Sequence, residues 1–150
     1  MKRIFLATVS IILFGLMCSC YMFNDQYRMA QFFVADVKEK EPEYRVKAEE
    51  FVGLAQARDS KRMVKISSPT TVKNNGGADI LESKFKEKII PKFINTEVKW
   101  KGKGNICYDE EYNVGLAFKG DAIGENNTYK FAVSVFEENK QLVIVFMRER

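Results

Sequence analysis

The spacing of the apolar residues changes near residue 96, and this change constrains the fold more than any other feature of the chain. Before Thr96 the apolar positions recur every three or four residues, which is the period of a helix that buries one face. After it they alternate with polar positions, as they do in strands that bury one face. Helices followed by a run of antiparallel strands belong to the α+β class, so we expect helices packed on an antiparallel sheet of about four strands.

Prolines and capping residues divide the helical half. Pro42 is expected to end one helix and to open the next, because proline fits the first turn of a helix but not its interior. Asp59–Ser60 predict a turn with an N-cap, and Pro91 predicts the end of the last helix, which carries apolar residues four apart. These residues are Leu81, Phe85 and Ile89. The predicted segments are 24–40 (a helix or a tether), 43–58, 61–67 and 79–90, with a loop over 74–77.

The strand half contains several turn signals. Gly102 and Gly104 predict a turn after a first strand that begins near residue 96. A short strand over 106–108, an acidic turn over 109–111, a strand over 112–119 and a loop over 120–127 are expected to follow. Asp109, Glu110 and Glu111 lack the alternating oxygen spacing of a calcium loop, so a solvated turn is the better interpretation.

The last two strands predict a hairpin with a defined register. If Asn139–Lys140 form a two-residue turn, Val135 lies opposite Ile144 and Phe136 opposite Val143. The same register places Val133 against Phe146 and Lys130 against Glu149, which is a favourable opposite-charge pair. Both faces of this hairpin are apolar, so we expect it to lie centrally and to be covered on both sides.

The order and spacing of these elements resemble the nuclear transport factor 2-like (cystatin-like) family. The residues that carry the resemblance are Ala48–Phe51 through Ala57–Asp59, Ser67–Pro69, and the closing hairpin over 131–147. The resemblance implies a cone-like domain in which a curved sheet wraps the helices around a pocket. The family includes isomerases, dehydratases, ligand carriers, dimerisation modules and secretion-system components, so the fold does not select a function.

The first twenty residues have the composition of an export signal. Lys2 and Arg3 precede an apolar run from residue 4 to 16, which then gives way to small residues and cysteine. The end of this run, Leu16–Cys20, resembles the lipobox of bacterial lipoproteins, in which a peptidase cuts before a cysteine that becomes acylated. Cys20 is the expected lipidation site because small Ser19 precedes it, whereas large Met17 precedes Cys18. Met17 departs from the leucine that is usual three positions before the lipidated cysteine.

Two other interpretations of the leader remain open. The twenty residues from 4 to 23 carry no charge, so an uncut membrane-spanning anchor is one alternative. Cleavage without lipidation is the other. All three place the rest of the chain outside the cytosol, and the lipobox favours a bacterial cell-envelope protein held by lipid at Cys20. The expected organisation is a signal peptide over 1–19, a lipid-anchored tether or helix over 20–42, and a cone-like domain over 43–150.

Composition narrows the classes of partner. Lys2 and Arg3 supply half of the net charge of +4, so no electrostatic partner follows for the domain itself. Lysines alternate with Trp100 over residues 99–103, as they do on some nucleic-acid or anionic-lipid surfaces. An edge strand whose lysines prevent sheet-to-sheet pairing is the better interpretation, and we expect no nucleic-acid partner. Cys107 would be the one free thiol of the lipidated chain and is expected to pack as a small apolar residue.

The side chains argue against catalysis. The sequence contains no histidine, which excludes Ser-His and Cys-His nucleophiles and histidine-ligated metals, and it predicts no cofactor. A carboxylate–tyrosine isomerase remains as an alternative. Its acids would be Asp109, Glu110, Glu111 or Asp121, and its tyrosines Tyr108, Tyr112 or Tyr129.

Aromatic residues are plentiful, and those on strand faces are the candidates for a pocket. They are Trp100, Tyr112, Phe118, Phe131 and Phe146, and their alternative role is plain core. The sequence therefore predicts a non-catalytic envelope lipoprotein that binds a small apolar ligand or a protein partner, with a homodimer left open. A single-span component of an envelope or secretion assembly is the alternative.

Overall fold

The computed structural model describes residues 31–109 and 113–149. By its internal contacts the chain divides into two units, Met1–Asp36 and Val37–Arg150. Within the first unit the described residues, 31–36, are helical. The second unit opens with helical residues 37–39 and contains all the elements labelled below. The signal peptide, Cys20 and most of the predicted tether lie outside the described residues.

The helical half of the second unit contains four short α-helices and an irregular end. They are α1 (Glu41–Gln56), α2 (Ser60–Ile66), α3 (Pro69–Asn74) and α4 (Ala78–Lys84), followed by a π-helical turn (Phe85–Ile89) and a 3-10 turn (Ile90–Lys92). Proline occupies the first turn of α1 and of α3, where its missing N–H costs nothing. The predicted cap of α2 is confirmed, since the Asp59 side chain accepts a hydrogen bond from the Arg62 backbone N–H at 3.0 Å. The short helix α3 was not predicted.

The strand half is a single sheet of four antiparallel strands in sequence order, which confirms the α+β prediction. The strands are β1 (Glu97–Asp109), β2 (Asn113–Ile123), β3 (Thr128–Glu138) and β4 (Gln141–Glu149). The helix α1 contacts all four of them, so the helices pack on one face of the curved sheet and the core lies between. Phe51 of α1, Phe118 of β2 and Phe131 of β3 are fully buried in this layer.

The predicted turn at Gly102 and Gly104 is wrong, because β1 runs through both glycines as one strand. The pairing of β1 with β2 shifts between Lys101 and Asn105, and Gly102 adopts a φ of 59°. Helix α1 explains this bulge. The Arg45 guanidinium donates a hydrogen bond to the Gly102 carbonyl at 3.2 Å, and the Gly104 N–H donates one to the Glu41 carboxylate at 3.0 Å. These bonds satisfy the backbone groups that the bulge releases from the strand ladder.

The predicted loop over 120–127 is too long, since β2 continues to Ile123. Gly120 pairs with Trp100 on one side and with Phe131 on the other. A Cβ atom at Gly120 would lie 2.5 Å from the Phe131 ring, so only glycine allows that ring to lie across the strand. The loop that remains is residues 124–127.

The hairpin register is correct near its turn and wrong beyond it. Both turn residues, Asn139 and Lys140, have positive φ, and Val135 pairs with Ile144 as predicted. The pairing then shifts, so that Val133 lies opposite Met147 rather than Phe146, and Glu149 lies opposite Phe131 rather than Lys130. The bulged residue is Val145.

Groups from the helical half explain this bulge. The Ser68 N–H donates to the Ile144 carbonyl at 2.9 Å, and the Thr71 hydroxyl donates to the Val145 carbonyl at 2.8 Å. These bonds join the outer edge of β4 to the start of α3. A pattern read along the strand contains no sign of them, because Thr71 and Val145 are 74 residues apart.

The edges of the sheet are β1 and β4. The expected central position of the last hairpin is therefore wrong for β4, while β3 is central. Part of the free edge of β4 is covered by a parallel bridge between Ser67 and Ile144. This bridge occupies edge backbone groups that would otherwise be open to pairing with another strand. The edge position of the lysine-rich strand β1 is confirmed.

Candidate functional site

An apolar cavity opens where the irregular end of the helical half meets the edge of the sheet. Its volume is about 270 Å³, just below the roughly 300–1,000 Å³ of most small-molecule sites. Residues from α1, from the α2–α3 segment, from α4 with its π turn, and from β4 line it. They are Phe51, Ser67, Thr71, Asn75, Leu81, Lys84, Phe85, Lys88, Ile89, Ile144 and Val145.

The π turn supplies one wall of the cavity. The Ile90 N–H bonds to the Phe85 carbonyl five residues earlier, so this turn is wider than the α-helix that precedes it. The wide turn leaves Phe85 and Ile89 on the cavity side together with Leu81 of α4. Single π turns are rare in proteins and are frequent at functional sites.

The floor is built from packed apolar side chains. The Phe51 and Phe85 rings meet edge to face, with centroids 5.6 Å apart. Leu81 is 3% exposed and Ile144 is 2% exposed, so both belong to the core and face the cavity with a small part of their surface. These contacts hold the floor in place without a ligand.

The polar groups of the lining are engaged within the protein. The Ser67 hydroxyl donates to the Met63 carbonyl at 2.9 Å, and the Thr71 hydroxyl donates to the Val145 carbonyl. The Asn75 amide donates to the Thr71 carbonyl at 2.8 Å. Because these donors are already used, the interior favours hydrocarbon over groups that need hydrogen bonds.

Two exposed lysines, Lys84 and Lys88, lie four residues apart at the opening of the cavity. The Lys84 ammonium donates to the Asn75 side-chain oxygen at 3.0 Å. Lys88 is exposed, and among the described residues its ammonium has no hydrogen-bond or ion-pair partner. Lys86, between them in sequence, does not line the cavity and binds Glu82 at 2.6 Å. The hydrogen bond from Lys86, with a second from Ser60, lowers the pKa of the Glu82 carboxyl.

A second depression lies at the other end of the sheet. It has a volume of about 550 Å³ and is formed by the segment that precedes β1, the loop between β2 and β3, and the start of β3. Its lining is more polar than apolar and includes Asn95, Asn126 and Asn127. Lys92 caps the Tyr129 ring there at 4.4 Å from the ring centroid. Because its lining is the more polar of the two, this depression is the weaker candidate for an apolar ligand.

Three of the five predicted pocket residues come together, but they do not line the apolar cavity. The Trp100 and Phe131 rings meet edge to face at 5.2 Å, and the Arg45 guanidinium lies 4.7 Å from Trp100 and 5.5 Å from Phe118. Phe118 and Phe131 have no exposed surface, which makes them part of the core. Tyr112 and the Phe146 side chain lie outside the described residues, although the backbone of Phe146 pairs with Ser134.

The other candidate residues lie away from the cavity. Asp121 is ion-paired with Lys101 at 2.7 Å, and its second oxygen is buried without a hydrogen bond among the described residues. Tyr108 is 70% exposed on β1. Cys107 is partly buried, and this burial raises the pKa of its thiol to about 11. Glu110 and Glu111 lie outside the described residues.

Sequence reasoning predicted none of the residues that line the cavity as pocket residues, and the polar ones it missed include Thr71, Lys84 and Lys88. A signal for the two lysines was present, because each lies next to one of the apolar residues spaced four apart, Phe85 and Ile89. The π turn that groups them gives no such signal.

No family model and no curated protein matches this sequence. Among the described residues, no helix combines the length and the apolar character needed to cross a membrane. The function must therefore be inferred from the geometry and chemistry of the site.

Proposed function

We propose that this protein is a non-catalytic lipoprotein of the bacterial cell envelope that binds a small apolar ligand. The observation that carries the proposal is the apolar cavity, with its packed floor and engaged polar groups. The leader supplies the location, since its lipobox-like end makes Cys20 the attachment point for lipid. Acyl chains on one cysteine would hold the domain at a membrane surface, because each buried methylene contributes roughly 0.8 kcal/mol.

Ligand binding is tested by calorimetric titration of 1-octanol into the full-length protein in phosphatidylcholine nanodiscs, with empty nanodiscs as the blank. The variant Ile89→Trp enlarges a side chain that lines the cavity and is expected to weaken binding at least tenfold. The matched control is Ile80→Trp on α4, because Ile80 is 50% exposed and does not line the cavity. Absent octanol binding, or equal binding by both variants and the wild type, would contradict the proposal.

Lipidation is tested by the intact mass of the protein extracted from membranes. The expected mass corresponds to residues 20–150 plus acyl groups. Cys20→Ala is expected to abolish this product, whereas the matched control Cys18→Ala is expected to retain it. An intact N-terminus without lipid would refute the lipoprotein proposal and favour the membrane-spanning alternative.

A further inference from the structure

The charged side chains that line the apolar cavity are all of one sign. Among the described residues that line it there are two lysines and no carboxylate. The two acids on α4 and its π turn that lie closest to the lysines, Glu82 and Glu87, do not line the cavity. Glu82 is bound to Lys86 and to Ser60, whose hydroxyl lies 3.0 Å from the carboxylate. An anion at the opening would therefore meet positive charge without a competing acid in the lining.

The two lysines differ in how much of their charge is available. The Lys84 ammonium is held near the opening by Asn75, whose side-chain oxygen it contacts at 3.0 Å and whose carbonyl it contacts at 3.4 Å. Lys88 has no such partner among the described residues and is exposed one turn further along. Lys84 thus provides a fixed positive group, and Lys88 provides free donors for an incoming acceptor.

The interior and the opening of the cavity favour different chemical groups of a ligand. The floor of Phe51, Phe85 and Ile144 suits hydrocarbon, and the engaged hydroxyls of the wall offer little to a polar chain. The opening suits an anion. We infer that the ligand of the cavity is a single-chain apolar carboxylate, with its chain on the aromatic floor and its carboxylate at Lys88. This inference rests on the proposed function and specifies its ligand class.

The test compares octanoate with 1-octanol, which share a chain length and differ in charge. Both are titrated into the full-length protein in phosphatidylcholine nanodiscs at pH 8. We expect octanoate to bind about tenfold more tightly than octanol, because a charge-assisted hydrogen bond forms at the partly desolvated opening. We also expect this advantage to shrink in 1 M salt.

The variant Lys88→Gln removes the positive charge and keeps a polar side chain of similar length at the opening of the cavity. This variant is expected to bind octanoate and octanol equally, because the ammonium that distinguishes the two ligands is gone. The matched control is Lys65→Gln, which removes an exposed lysine in the last turn of α2 that does not line the cavity and is expected to preserve the preference for octanoate.

The outcomes distinguish the two proposals. If octanol binds and octanoate binds no more tightly, the carboxylate inference is overturned and the proposed function stands. If neither ligand binds, both are overturned. A preference for octanoate that survives Lys88→Gln, or that Lys65→Gln abolishes equally, would refute the role given to Lys88.

Discussion

Gly115 of β2 lies against β3 at a position that has no room for a side chain. It pairs with Phe136 of β3, and a Cβ atom at this position would lie 2.4 Å from the Val135 carbonyl oxygen. The same atom would lie 2.6 Å from the Phe136 ring. The first obstacle is backbone in a central strand, so it cannot be relieved by rotating one side chain. We therefore expect Gly115→Ala to disrupt the pairing of β2 with β3.

The loss of stability expected for Gly115→Ala follows from these distances. Ordinary contact begins near 3.4 Å, so the strands must separate by about 1 Å at this point. That separation breaks one or two ladder hydrogen bonds, each worth roughly 0.5–1.5 kcal/mol, and overpacking in a core costs roughly 1–3 kcal/mol more. We expect Gly115→Ala to lower the free energy of unfolding by about 2–4 kcal/mol. In a domain of this size that lowers the Tm by roughly 8–16 °C.

Gly53→Ala is the matched control, since it makes the same chemical change on an open surface. Gly53 lies in α1 and is exposed, and a Cβ atom added there would meet no neighbouring atom within 4 Å. Alanine favours helix over glycine by roughly 0.5–1 kcal/mol, so this variant is expected to raise the Tm by about 2–4 °C. Both are measured by thermal unfolding of the full-length protein, followed by circular dichroism. Equal shifts for the two variants, or a Gly115→Ala protein within about 1 °C of wild type, would refute the reasoning.

Two other predictions concern the bulge of β4 and the thiol of β1. Thr71→Val removes the hydroxyl that donates to the Val145 carbonyl and is expected to lower the free energy of unfolding in urea by about 1–3 kcal/mol. Thr71→Ser keeps the hydroxyl and should lower it by less than half as much. Equal losses for the two variants would exclude the hydrogen bond as the cause. Because burial raises the pKa of Cys107 to about 11, its alkylation by iodoacetamide at pH 8.5 should be roughly a hundredfold slower in the folded than in the urea-unfolded protein. The raised pKa favours the neutral thiol in the fold, so its stabilising effect is complete below about pH 8.5 and is lost as the pH rises towards 11. Comparable alkylation rates, measured by mass on the peptide that contains Cys107, would contradict the burial.

The order of the elements was predictable because it depends on local periodicity. The helical spacing before Thr96, the Asp59 cap and the Asn139–Lys140 turn all act within a few residues, and each is present in the structure. The errors have a common origin in contacts between distant parts of the chain. Glycines in a strand suggest a turn, yet Glu41 and Arg45 convert that position into a bulge.

The cavity was less accessible to prediction than the fold. Its aromatic floor uses Phe85, which the sequence places on the buried face of a helix, but its walls come from β4 and α3. The predicted pocket residues Phe118 and Phe131 lie instead where the core is filled. Periodicity identifies which side chains face inward, whereas only the packing of the elements decides where space is left between them.

The bonds that join α3 to the edge of β4 have a further consequence, for the rate at which the native state unfolds. Each strand of the sheet pairs with its neighbour in sequence, so its hairpins close short loops and can form early. The bond between Thr71 and Val145 spans 74 residues and closes only once the sheet is in place. An interaction that is absent from the folding transition state alters the unfolding rate and leaves the folding rate almost unchanged. We therefore expect this bond to govern the lifetime of the folded domain rather than the speed of its formation.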